Sequence, residues 1–268
     1  MKNCCQKKSE KPEEKRIVKK ESLISSIASA TLQGCVGAVV GAALASVTDP
    51  IVNRVLVKRV PLSVAIHDVT GAQMFKYFQT ALATNMIKFP MFEVLNKVVA
   101  QMPLPDSTRG LISGAIFTTA TLPITNYRFS KSMGEPINMA SLYKAYWPTV
   151  ARDMLYGVVR NRTNTLVAQN FPKLNANPFG KMFAGVMAAC LLSSPGNEVR
   201  GYFLQPPQKR LPVGEFFKVD RYVRSAALGA TVMALSLGVG AFVSKPLEAK
   251  FRQLLVAAQQ KKPQEQKH

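Results

Sequence analysis

Residues 110–157 read GLISGAIFTTATLPITNYRFSKSMGEPINMASLYKAYWPTVARDMLYG. They hold an uncharged run of small and apolar residues from Gly110 to Tyr127, with Pro123 inside it and Arg128 just after it. A second segment, Tyr143 to Asp153, carries Lys144, Arg152 and Asp153 among aromatic and apolar neighbours. A proline inside a helix removes one hydrogen bond and crowds the turn before it, so Pro123 is expected to bend a helix. The rest of the chain reads as two worn copies of this stretch. Pro50, Pro123 and Pro195 each close a small-residue run (ALASVTDP, TTATLPI, LLSSPGN) and lie 73 and 72 residues apart. Phe75-Lys76, Tyr143-Lys144 and Phe217-Lys218 follow those prolines by 25, 20 and 22 residues. Two markers recurring in one order at a fixed period signal a repeat architecture. The expected units are 23–102, 103–173 and 174–250, between a charged tail at 1–22 and another at 251–268.

Composition says what kind of repeat this is. The chain is 47% hydrophobic and 19% charged, with a formal net charge of +20, so charge must be segregated from the apolar runs. Leu23–Thr48, Gly110–Tyr127 and Ser225–Ser244 contain no charged residue. Runs of this length match a hydrocarbon core of about 30 Å, whereas the buried helix of a soluble protein usually keeps a polar stripe. The expectation is an integral membrane protein rather than a large soluble helical core. Lys and Arg number 35 against 15 Asp and Glu, but they gather at the ends of apolar runs, as at Arg54, Lys58 and Arg59 or Arg128 and Lys131. That placement suits anionic lipid headgroups and snorkelling side chains. No zinc spacing or RNA-binding motif supports a nucleic-acid partner, and none is expected.

Other residue types narrow the reading less. Cys35 and Cys190 lie in apolar runs and read as small hydrophobes, while Cys4-Cys5 read as exposed thiols or lipidation sites. His67 and His268 are the only histidines, and neither a metal-ligating set nor a nucleophile with its base can be assembled, so neither an enzyme nor a metal site is expected. The tail at 1–22 mixes Glu10, Glu13, Glu14 and Glu21 with lysines and has no apolar core. No cleavable presequence is therefore expected, and targeting would lie in the spans themselves.

Each unit contains two prospective spans. In the first, Gly37 and Gly41 are four apart, as Gly110 and Gly114 are in the second, and both pairs end nine residues before their proline. Small residues on one face let helices approach closely in lipid. The third unit has Ala184, Gly185, Ala188 and Ala189 in a different register. Second spans are expected at about 77–99, 143–169 and 222–244. The middle one holds Lys144, Arg152, Asp153, Arg160 and Arg162, and charges in a span normally face a polar interior or a partner. The competing reading is an amphipathic helix lying on the surface.

Three tandem two-helix units, Gly-x-x-x-Gly before a helix-bending proline, and the segment LYKAYWPTVARDMLYG (142–157) together resemble the mitochondrial carrier family over residues 25 to 250. The resemblance implies an all-α membrane protein with six transmembrane helices in three repeats of pseudo-threefold symmetry, multi-pass in the mitochondrial inner membrane. In that family Pro-x-[Asp/Glu]-x-x-[Lys/Arg] on each first helix builds a ring of ion pairs closing the matrix side. A similar ring lies at the other end, and alternating access breaks one or the other. Carried over, Pro50, Pro123, Arg128, Pro195 and Arg200 keep gate positions. The acidic places hold Val52, Thr125 and Asn197, and the first basic place holds Val55. Three alternating pairs cannot form, although Thr125 and Asn197 are able to accept hydrogen bonds from arginines. The period is also shorter than the family's, so the matrix loops should be trimmed; SKSMGEPINMASL and QPPQKRLPVGE read as loop where the family has a short matrix helix.

The family pattern Pro-x-x-x-Arg-Asp matches Pro148, Arg152 and Asp153 and implies substrate contacts there. Arginine grips a carboxylate bidentately and the aspartate pairs with an ammonium. Lys88 falls at the corresponding place in the first unit, and Arg224 or Ala226 in the third. Lys76, Lys144 and Lys218 resemble the aromatic-basic-Gly sites that hold cardiolipin, but Tyr77, Ala145 and Val219 replace the glycine. Ordinary interfacial anchoring is the plainer reading of those lysines. The resemblance therefore implies transport of a small carboxylate-bearing metabolite, an amino or keto acid, with membrane lipids as further partners. The second reading is a carrier-fold subunit of an inner-membrane assembly that does not transport and whose partners are other inner-membrane proteins. A third is a protein-translocase subunit, which explains the Gly-rich helices but not the repeat.

Overall fold

The computed structural model describes residues 12–57, 62–133, 136–205, 210 and 212–265, and within them every regular element is a helix. Six are long: α1 (Pro12–Val57), α3 (Gly71–Val99), α4 (Asp106–Met133), α6 (Tyr146–Asn170), α8 (Pro178–Leu204) and α10 (Val219–Glu265). Short helices α2 (Leu62–His67), α5 (Met139–Leu142), α7 (Pro172–Ala176) and α9 (Val213–Phe216) join them. The chain is therefore all-α. The backbone stays helical through Pro50, Pro90, Pro123 and Pro195. Prolines Pro172 and Pro178 instead start helices, where the missing N–H is no loss. Side-chain caps set other starts: Thr70 accepts from the Gln73 amide at 3.3 Å and Asn177 from the Gly180 amide at 3.2 Å.

Each long helix packs on the next one in the chain, and α10 returns to pack on α1, closing a circuit of six. Small residues make the tightest crossings. On α4, Gly110 faces Gly157 and Gly114 faces the backbone of Asp153 on α6, so numbers rise on one helix as they fall on the other and the pair is antiparallel. On α1, Gly34 meets Pro90 of α3, and Gly37 meets Gly240 of α10. A Cβ at Gly240 would lie 2.5 Å from the Gln33 carbonyl oxygen. An apolar cluster of Ala38, Phe89, Val186, Ala234 and Leu237, flanked by Met182, Phe183, Met187, Cys190 and Met233, joins α1, α3, α8 and α10. It reaches between helices that are not neighbours in the circuit and fills that side of the interior.

Several expectations need correction. The helices at the places expected for second spans begin earlier or later than expected, at Gly71, Tyr146 and Val219. The two segments read as loop contain one-turn helices, α5 and α9, at the place of the shortened linkers. For α5 the reason is local, because Asn138 accepts from the Ser141 amide at 2.8 Å while the Ser141 hydroxyl accepts from the Asn138 amide at 2.9 Å. The charged tail is helical from Pro12, and the last helix runs to Glu265. Cys4 and Cys5 lie outside the described residues, as do the side chains of Asp49, Val52, Arg54, Val55, Arg128 and Arg224.

Candidate functional site

Helix α6 supplies most of the interior chemistry. Its buried positions Thr149, Val150, Asp153, Gly157, Arg160 and Val167 recur at helical spacing and form one inward stripe. Because the stripe includes charges, its partners on other helices decide what it does.

At the level of Pro123 and Pro195 the described residues make a hydrogen-bonded tie between helices. Arg200 of α8 donates from Nη2 to Asn126 Oδ1 of α4 at 2.9 Å, across the interior. Asn126 is buried and its Nδ2 donates to the carbonyls of Leu142 and Lys144, each at 2.9 Å. Lys144 Nζ in turn donates to the Leu204 carbonyl at 2.8 Å. Thr125, an expected acceptor, donates to the Thr121 carbonyl at 3.1 Å, and the Arg128 side chain lies outside the described part. Its neighbour Asn126 takes Arg200 because it points one step further around the helix. The other expected acceptor, Asn197, does take an arginine, but it is Arg152.

The expected substrate residues converge in part. Arg152 Nε lies 2.7 Å from Asp153 Oδ1, and its Nη1 donates to Asn197 Oδ1 of α8 at 2.6 Å. Asp153 Oδ2 accepts from the Thr118 hydroxyl of α4 at 2.5 Å, so both carboxylate oxygens are engaged. Arg152 and Asp153 line a small cavity of about 30 Å³ with Lys88, Thr118, Thr121, Leu122, Thr125 and Thr149. That is room for about one water, so any larger ligand must displace a partner of Arg152. Lys88 also sits over the Phe117 ring, 5.9 Å from its centroid. The Arg224 side chain lies outside the described part.

Two turns further along α6, a pair emerges that the sequence reading did not single out. Arg160 Nη2 donates to Glu93 Oε1 of α3 at 2.7 Å, with the side chains 4% and 6% exposed. The guanidinium also lies over the Phe92 ring at 5.1 Å and touches Met182 Sδ at 3.1 Å. Helix α4 separates α3 from α6 in the circuit, so this is a second tie through the interior. The available signal was Glu93 itself, the only acid in α3 and set in an apolar surround. Among the described residues there is no group of His, Cys, Asp and Glu able to hold a metal. What the arrangement can do is present guanidinium, ammonium and hydroxyl groups to an anion.

The three lysines expected at headgroups divide. Lys76 and Lys218 are exposed, whereas Lys144 is half-buried on the Leu204 carbonyl. Ala145, standing where the resemblance asks for glycine, has φ of 57°, inside the left-handed region. A side chain there costs about 1–2 kcal/mol, partly offset by glycine's greater freedom in the unfolded chain. Ala145→Gly is therefore expected to raise stability by roughly 0.5–1 kcal/mol, read as a higher Tm in detergent. An unchanged or lower Tm would show that the turn before α6 tolerates the alanine without strain.

Compared with known protein families, curated proteins and solved structures, the chain matches none.

Proposed function

We propose that the chain is a divergent mitochondrial-carrier-like protein of the mitochondrial inner membrane, with six membrane helices in three two-helix repeats. We further propose that it moves a small carboxylate-bearing metabolite, an amino or keto acid, by alternating access. The closed circuit of six long helices in chain order supports the architecture. So do the apolar stretches Leu23–Thr48 and Ala226–Pro246, which among the described residues are long enough and apolar enough to cross a membrane by length and composition. In this reading α4 and α6 are more polar because their charges face the interior.

The observation that carries the transport reading is convergence. Lys88 from one helix and Arg152 with Asp153 from another line one cavity, and a cross-bundle tie stands at the proline level and another at Arg160. A zwitterionic amino acid could replace both members of the Arg152-Asp153 pair at once, its carboxylate on the guanidinium and its ammonium on Asp153. The interior charge would not change. Opening would require one tie to part while the other holds, which is how two states of similar energy exchange.

Reconstituted in liposomes, the protein is expected to exchange amino or keto acids, and Arg152→Ala should reduce uptake at least about a hundredfold, since a buried charge-assisted contact would be lost. Uptake unaffected by Arg152→Ala would remove this site from the mechanism. A second reading is a carrier-fold subunit of an inner-membrane assembly that does not transport. It is favoured by the apolar cluster filling one side of the interior and by the absence of carboxylates from the Arg200–Asn126 closure. No uptake, together with stable co-purification in a larger inner-membrane complex, would establish that reading instead.

A further inference from the structure

A larger cavity, about 160 Å³, lies between the same three helices as the Arg152 cavity, toward the end where α3 gives way to α4. Asn96 of α3, Asp106 and Arg109 of α4, and Asn161, Asn164 and Thr165 of α6 line it. Between the two cavities the ring centroids of Phe92 and Phe117 stand 4.9 Å apart and those of Phe92 and Tyr156 5.5 Å apart, both edge to face. The Glu93–Arg160 pair lies at the same level, since Glu93 follows Phe92 and Arg160 is one turn from Tyr156. The interior thus has two polar cavities in series along α3, α4 and α6, with an aromatic and ionic partition between them. The α1, α8 and α10 side is closed by the apolar cluster.

The outer cavity has a defined hydrogen-bonding balance. Its one carboxylate, Asp106, is committed: Oδ2 accepts from the Thr165 hydroxyl at 2.6 Å, and Oδ1 is paired with Arg109. Each Asp106 oxygen thus already has a donor partner within the site. Arg109 Nη1 donates to the Ala100 carbonyl at 3.1 Å, but its Nε has no partner, and neither has Asn96 Nδ2. Arg162, whose Nε donates to Ser107 at 3.0 Å, adds a second guanidinium to the surroundings. Two guanidinium groups against one engaged carboxylate, plus unpartnered donors, leave a demand for acceptor oxygens.

We propose that this outer cavity is a binding site for a small oxyanion, a carboxylate or a phosphate, held by Arg109 and Asn96 and separate from the Arg152 cavity. Its use as an outer station on a transport path rests on the transport reading; binding itself does not. A cavity of this size takes about five waters or one small anion. Engagement by the anion would give Arg109 Nε and Asn96 Nδ2 the acceptors they lack.

The test is thermal unfolding of the full-length protein in detergent, titrated separately with acetate and with inorganic phosphate, with chloride at matched ionic strength as control. A saturable rise in Tm is expected with acetate, phosphate or both, and the arm that saturates at the lower concentration identifies the oxyanion class. Asn96→Ala and Arg109→Gln should each weaken the apparent affinity at least about tenfold, while Gly71→Ala, where a Cβ meets nothing within 4 Å, should leave it within about twofold. Arg109 also ties Asp106 to the Ala100 carbonyl, so if Arg109→Gln does not fold, Asn96→Ala alone decides. Absence of any saturable shift overturns the proposal. So does a shift abolished by Arg152→Ala and untouched by Asn96→Ala, which would put the anion in the inner cavity. Saturable binding without uptake in liposomes would sink the transport reading and leave this site standing.

Discussion

Glu93→Ala is expected to destabilise the protein by about 3–5 kcal/mol, because it strands the Arg160 guanidinium in the interior. The pair is 2.7 Å apart and almost wholly buried. Two further Arg160 nitrogens, Nε and Nη1, have no hydrogen-bond partner, so Glu93 is the counter-charge on which the guanidinium depends. Its packing over Phe92 offsets only part of the loss, a cation-π contact being worth about 2 kcal/mol when desolvated. The double variant Glu93→Leu with Arg160→Met should recover most of the stability, because removing both charges also removes the desolvation they impose. Equilibrium unfolding in mixed micelles measures both. If the single variant stays within about 1 kcal/mol of the parent, Arg160 has water around it and the pair is not a tie through a dry interior. The same two variants bear on transport. A switchable gate would lose uptake in both, whereas a purely structural tie would regain it in the double variant.

Gly114→Val is expected to prevent α4 and α6 from packing, at a cost of roughly 3 kcal/mol or more. A Cβ at this position would collide with the backbone of Asp153 and Met154, which cannot move aside as a side chain could. In the membrane setting proposed above there would be little hydrophobic gain from helix association, so close backbone approach would be a large part of what holds the pair together. The same displacement would pull Asp153 away from Thr118 and reopen the Arg152 cavity, joining a stability effect to a functional one. Gly71→Ala is the control, since nothing lies within 4 Å of its would-be Cβ. A folded Gly114→Val protein with parental Tm would mean that the α4–α6 crossing has room for a side chain at this position.

Much of the framework was legible beforehand, for reasons that particular residues make plain. The helices follow from uncharged small-residue runs such as Leu23–Thr48. The crossing of α4 on α6 follows from Gly110 and Gly114 lying on one helix face. Arg152 and Asp153 stood out because adjacent opposite charges inside an apolar span need an interior to face, and Lys88 joins them in one cavity. Arg200 was placed only by the structure: Asn126 holds it, a step of about 100° around the helix from Thr125. Glu93 and Arg160 went unpaired because 67 residues separate them and neither carries a motif that points to the other.

From sequence alone came the helical class, the 73- and 72-residue spacing of Pro50, Pro123 and Pro195, the segregation of charge from apolar runs, and the Arg152-Asp153 pair. Each of these is a local property, set by composition and spacing within a few turns of helix. Only the tertiary structure decided which distant helices are tied, that the interior is filled on the α1, α8 and α10 side and polar along α3, α4 and α6, and that two cavities stand in series there. The physical reason is that a buried polar side chain must be satisfied by whatever donor or acceptor the packing brings within about 3 Å. Which group arrives is fixed by the closure of the whole helix circuit, not by any one stretch of chain.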